Sequence, residues 1–381
     1  MAGEMRTRLA TRIRTRREQL DLTQKTLADL AGFPVHQIIS QIETGERDVK
    51  AWELARLAKA LHVSVADLLS EAEMAAGPAV LWRKPPTDVR ALREAEFTER
   101  CRRYQHVERL CGMQTPKEIS CARSLDPKQC SFSQVAELAA EVTRHLGLGD
   151  RPAPALVTAL EERWAVKVWY FSMEDEASAA CACGEFGPAI LMNASEAPWR
   201  RNFSFAHELF HLLTWEASNS AEIQENPVLA ERIEKLANAF ASNLLLPADL
   251  TITAFDRHVR ENRVSYADLI AIAREFDVST EALLWRLAGL GRVNAGTVDK
   301  LRADPDFRRL DRTFRHGEWW NPPPIPERFV LLAFLAYSRG RLSKAKLAEY
   351  MDVSLPDLAA TLMAYGLDEA ADYDATVSTA A

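Results

Sequence analysis

The stretch 203-FSFAHELFHLLTW-215 places His207 and His211 four residues apart, with Glu208 between them, in the apolar spacing of an amphipathic helix. Side chains four apart on a helix share one face, so both imidazoles can reach a single ion while Glu208 stands beside them as a proton acceptor. Such a pair of ligands needs a third from elsewhere in the chain.

The third ligand is sought in the next long helical pattern, 231-ERIEKLANAFASNLLLP-247, which stops at Pro247. Glu234 is favoured there, because Ala237 and Ala241 lie on its face at i+3 and i+7 and let two helices approach. Asn238, one turn on, is placed to hydrogen-bond a ligand. Glu231 remains the alternative. Upstream, the period changes from helical to alternating: 165-AVKVWYFS-172, 178-SAACAC-183 and 187-GPAILMN-193 have strand length and composition. They predict a small sheet beside the His-bearing helix, hence an α+β core in a mainly α chain. An extended substrate is expected to pair with an exposed sheet edge near GPAILMN.

A chain of 381 residues that is 48% hydrophobic can bury more than one core. We divide it into an N-terminal helical module over 1–73, a linker and connecting helix over 74–130, the core over 131–290 and a helical extension over 291–381. Gly77, Pro78, Pro85 and Pro86 give the linker extended backbone. No apolar run is long enough to span a membrane and no signal peptide is evident, which implies a cytoplasmic protein. The six cysteines show no CxxC pair and are expected to be free thiols. Net charge is −7, yet residues 1–70 hold 11 basic against 9 acidic side chains, so this segment is the one that invites a polyanion.

Residues 6–70 predict five short helices. Thr23 caps QKTLADLAG and Gly32 closes it; PVHQIISQIETG follows as the third helix, with Pro34 near its first turn and Gly45 as its stop. A helix, a tight turn and a second helix carrying short polar side chains is the order of a helix-turn-helix DNA reader. Leu27, Leu30, Ile39 and Ile42 are expected beneath it, and Arg12 and Arg17 of the first helix are candidates for phosphate contact. One further pattern recurs, in LAKALHVSVADLL from 57, IAREFDVSTEALL from 272 and LAEYMDVSLPDLA from 347; each predicts two helices joined at a capping serine, Ser64, Ser279 or Ser354.

Residues 8–70 resemble the XRE (lambda-repressor-like) family. The resemblance implies that Gln24 holds a phosphate and that His36, Gln37, Ser40 and Gln41 face the major groove of double-stranded operator DNA, glutamine amides suiting adenine edges. The turn GFPVHQ carries one residue more than the family's usual pattern. Residues 130–290 resemble the ImmA/IrrE family of minimal gluzincin-like metallopeptidases, through AILMNASEAPWRRNFSFAHELFHLLTW, EKLANAFASNLLLP and FDVSTEALLWRL. By that resemblance His207, His211 and Glu234 are ligands of one zinc ion per chain, and Glu208 is the general base. Phe210 stands where many members have glycine and is expected to narrow the cleft. No oxyanion-stabilising residue stands out, with His145, His258 and His316 as candidates.

The function implied is a DNA-binding regulator carrying a zinc endopeptidase, with another regulatory protein such as a repressor as substrate and a homodimer as the form that meets a two-fold operator. Two other functions fit the same motifs: a regulator whose zincin domain senses a ligand or partner without cleaving, and an antitoxin-like autorepressor.

Overall fold

A computed structural model of the chain describes all residues except 1, 73–76, 88, 115, 117, 118, 120–124, 174–176, 220, 314–319 and 372–381. It is mostly helical, with one four-stranded sheet. Among the described residues no helix is long and apolar enough to cross a membrane.

The first five helices, α1 (Ala2–Gln19), α2 (Gln24–Ala31), α3 (Gln37–Glu43), α4 (Ala51–Ala60) and α5 (Val65–Leu69), close around their own core of Ile13, Leu20, Leu27, Ile39, Ile42, Leu57 and Leu61. Thr23 accepts the backbone N–H of Thr26 and Gly32 ends α2 in the left-handed region at φ 68°, as their residue types dictate. Two expectations fail. Leu30 is 51% exposed, because the inward stripe of α2 is Leu27, Ala28 and Ala31 and Leu30 lies well round the helix from it; Phe33 fills that side instead. Helix α3 begins at Gln37, three residues later than the stretch PVHQIISQIETG suggested, and Pro34 sits in the loop before it.

The next elements are β1 (Val80–Trp82), α6 (Arg90–Leu110), α7 (Phe132–His145), α8 (Pro152–Trp164), β2 (Lys167–Phe171), β3 (Ala179–Gly184) and β4 (Gly187–Asn193). The strand order is β1-β3-β4-β2, with β2 and β4 parallel and the other pairs antiparallel. The stretch expected only as a linker thus supplies an edge strand, and β4, expected to offer a free edge, is paired on both sides. Extended backbone between prolines suits a ladder as well as a linker.

Beyond the sheet run α9 (Pro198–Leu213), α10 (Trp215–Ser218), α11 (Ala221–Glu225), α12 (Pro227–Leu245), α13 (Ala248–His258), α14 (Tyr266–Glu275), α15 (Thr280–Gly289), α16 (Ala295–Ala303), α17 (Pro305–Thr313), α18 (Glu327–Ser338), α19 (Lys344–Tyr350) and α20 (Leu358–Ala364). One face of the sheet carries α9 and, through it, α7, α8 and α12; its core includes Val168, Ile190, Phe205, Leu209, Phe240 and Leu244. The other face, with Trp169 and Leu191, packs on Phe97 and Tyr104 of α6 and Phe329 of α18. At that second core Lys167 is fully buried, its Nζ 2.9 Å from Glu108 Oε2. Arg328 donates to the other Glu108 oxygen at 3.0 Å and to the Tyr104 hydroxyl at 3.1 Å.

The thrice-repeated pattern is a shared local structure. His62, Asp277 and Asp352 each adopt a positive φ, between 51° and 54°, just before the Val-Ser step. Ser64 and Ser279 then cap α5 and α15, whereas Ser354 receives the amide of Asp357 and α20 starts only after Pro356.

Candidate functional site

Helix α9 starts on Pro198 and is anchored by Arg201, which donates to the carbonyls of Ala194 and Glu196 at the end of β4. Wedged between the sheet and α12, its residues Ser204 to Leu212 are all buried. His207 and Glu208 are fully buried and His211 nearly so.

The structure brings His207, His211 and Glu234 together. The two Nε2 atoms are 3.2 Å apart, and the Glu234 oxygens lie 3.2 Å from that of His207 and 3.3 Å from that of His211. Donors bound tetrahedrally to zinc at about 2.0–2.1 Å stand about 3.3–3.4 Å from one another, so this set fits such an ion. His207 Nδ1 meets Asn238 Oδ1 at 3.1 Å; an N–H there donates to the amide and leaves the Nε2 lone pair aimed into the cluster. Glu231, the alternative third ligand, instead faces solvent and pairs with Lys235 at 2.7 Å.

Burial pushes the His207 imidazole down to about 4. Burial opposes ionisation of Glu234 too, but hydrogen bonds with both histidines outweigh it and hold the carboxyl well below the usual range. For His211 burial is likewise outweighed, by Glu234 and Glu208, and its affinity for a proton rises. Glu208 is driven up to about 7 by burial. Among the described residues neither of its oxygens has a conventional hydrogen-bond partner; the Cys181 thiol of β3 is the group facing it.

Phe210, expected to narrow a cleft, is buried against Phe240 with ring centres 5.7 Å apart, and so belongs to the α9–α12 core. Of the oxyanion candidates, His145 stacks on Trp164, His258 bonds Asp268 at 2.8 Å, and His316 lies outside the described residues. Arg83, which the sequence reading passed over, does reach the site's helix: it donates to Ser204 Oγ at 2.7 Å, lies over the Phe203 ring, and its charge disfavours protonation of His207 and His211. Its signal was only the alternation of 80-VLWRK-84, too short to read as a strand.

In the N-terminal module His36, Gln37 and Gln41 are exposed along α3 and Ser40 is half-buried. Gln24 donates to Glu43 at 2.8 Å, and Arg17 grips the same carboxylate at 2.7 Å. Arg12 bonds the carbonyls of Asp67 and Ala72. Arg12 and Arg17 are therefore engaged within the chain in this structure, Arg17 by the Glu43 carboxylate and the Leu22 carbonyl and Arg12 by two main-chain carbonyls.

Residues 161–288 match the model of the IrrE N-terminal-like domain, peptidase M78, and residues 8–71 match that of a helix-turn-helix domain. The chain is 34% identical over 103 residues to the radiation response metalloprotease IrrE of Deinococcus deserti, a match covering 26% of this chain and 35% of that protein, or about a third of its length. Two solved structures align along most of the chain but at scores too low to carry an argument. These are ComR from S. thermophilus in complex with DNA and its signalling peptide ComS (13% identity, 94% of this chain and 100% of that one, TM-score 0.18) and apo ComR from Streptococcus vestibularis (15%, 95% and 99%, TM-score 0.17). The chain thus joins a segment that matches a helix-turn-helix domain to one that matches the IrrE N-terminal-like domain of peptidase M78.

Proposed function

We propose that this protein is a DNA-binding regulator whose IrrE-like domain is a zinc-dependent endopeptidase acting on another regulatory protein, such as a repressor. The observation that carries this reading is the convergence of two imidazoles and a carboxylate at ligand spacing beside the fully buried carboxyl group of Glu208. His207, His211 and Glu234 would hold the metal, with Asn238 fixing the ring of His207. Zinc held there supplies a Lewis acid that polarises the scissile carbonyl and acidifies water. Glu208 then takes the proton of the attacking water and delivers it to the leaving amine nitrogen. Glu208 is itself fully buried, which shields its carboxyl group from bulk water.

Elemental analysis is expected to find one zinc per chain. His207→Ala or His211→Ala should weaken its binding by more than about a hundredfold, and Asn238→Ala by about 10- to 100-fold. Full zinc in the double histidine variant would overturn the ligand assignment.

We infer that α3 reads operator DNA. Gln37→Ala or Gln41→Ala is expected to cost about 1–3 kcal/mol of affinity on the cognate operator and nothing on random duplex, as seen by titration of both at one salt concentration. Equal losses on the two duplexes would remove base reading from these glutamines.

A further inference from the structure

Strand β1 lies on the outer edge of β3, pairing Val80 with Ala182, Leu81 with Cys181 and Trp82 with Ala180. The ladder continues past the strand, since the Arg83 amide donates to the Ala179 carbonyl at 3.1 Å and the Ser178 amide to Lys84 at 3.3 Å. This edge adjoins the candidate site, because the thiol of Cys181, opposite Leu81, faces Glu208. The opposite edge strand, β2, has all five residues buried.

Alternation along β1 sends its side chains to different places. Val80 and Trp82 join the core on the far face, where the Trp82 indole donates to Glu94 at 2.7 Å. Leu81 packs into the core on the α9 side, and Arg83 bonds Ser204, one helical turn before Glu208. The strand therefore presents an aliphatic residue and, two positions on, a basic one to the face that holds the site. It also comes from outside the matched peptidase-family domain, which begins at residue 161. Its paired stretch is short and is bounded by Pro78 and by Pro85 and Pro86, which donate no ladder bond, so few backbone bonds hold it.

We propose that residues 80–84 are a resident competitor for the substrate: they occupy the β3 edge on which an extended segment of the target protein docks. That segment carries an aliphatic side chain where Leu81 sits and a basic one where Arg83 sits, and docking requires the chain's own strand to leave. This rests on the peptidase reading for the identity of the docked segment. The pairing itself uses main-chain bonds, as in strand addition to an open sheet edge.

The test uses the full chain with Glu208→Gln, so that binding is read without cleavage, and a fluorescein-labelled peptide of residues 78–86, PAVLWRKPP. A resident strand lowers apparent affinity by the fraction of molecules in which the edge is free. Leu81→Ser with Arg83→Ala should thus raise peptide affinity by about tenfold or more, with zinc content unchanged as a check of folding. Equal affinity in the two chains overturns the proposal. On the chain with its native strand, hydrogen exchange under saturating peptide should show amides of 80–84 losing protection while those of 179–183 keep it; no change at either segment also overturns it. With Glu208 restored, cleavage of a protein substrate that is indifferent to the strand variant would sink the competitor and leave the peptidase standing. Peptide exchange at the edge with no cleavage by any chain would do the reverse.

Discussion

Glu208→Gln is expected to retain zinc, fold and operator binding while losing proteolysis by about 10²- to 10⁴-fold, the share that a positioned general base contributes. The substitution is nearly isosteric at a fully buried position, and among the described residues the carboxyl oxygens have no conventional hydrogen-bond partner that the amide would abandon. It also removes a charge from a dry environment, so the folded state should lose nothing. What disappears is the capacity to accept a proton from water at that place. Cleavage of regulators encoded beside this protein's gene, followed by gel analysis in cells carrying either chain, checks the expectation. Target genes that respond as in wild type, with the repressor intact in both strains, would refute the peptidase reading and favour a sensor.

The largest effect on stability is expected far from that site. Glu108→Ala should destabilise the protein by roughly 3–5 kcal/mol, because it strips the fully buried Lys167 of the carboxylate that pairs with it and takes the same partner from half-buried Arg328. Replacing the set together, with Lys167→Met, Glu108→Leu and Arg328→Met, should recover most of that loss, since ionic groups replaced by apolar ones of similar size leave no charge stranded. Denaturant unfolding followed by tryptophan fluorescence measures both; Trp169 sits in the core concerned. A triple variant no more stable than Glu108→Ala would mean that shape, and not uncompensated charge, sets the penalty.

The HExxH pair, Glu234 and Asn238 were legible because each depends on spacing within one helix, and helical spacing is written directly in residue order. Their convergence needed the second helix to lie across the first, which Ala237 and Ala241, both fully buried, permit. The contributions of Arg83 and Cys181 were not legible, since both reach the site through strand pairing between segments about a hundred residues apart, and β1 is only three residues long. The same limit hid the place of the C-terminal helices. Phe329 and Val330 of α18 complete the core on the second face of the sheet, a contact that no local period announces. Leu30 was misread for a local reason, an apolar residue on the polar side of α2.

The covalent attachment of β1 has a quantitative consequence. Strand β1 is joined within a few residues to α6, which packs on the same sheet, and a strand held on so short a link competes at an effective concentration in the millimolar range, whatever the abundance of the protein. A free peptide of equal intrinsic affinity, present at micromolar level, would hold the β3 edge in only about one molecule per thousand. Abundance of a target protein is therefore a poor signal for opening that edge. A change that lengthens the tether, or draws Leu81 and Arg83 off their contacts, acts directly on the local concentration, and it does so equally for every segment able to pair there.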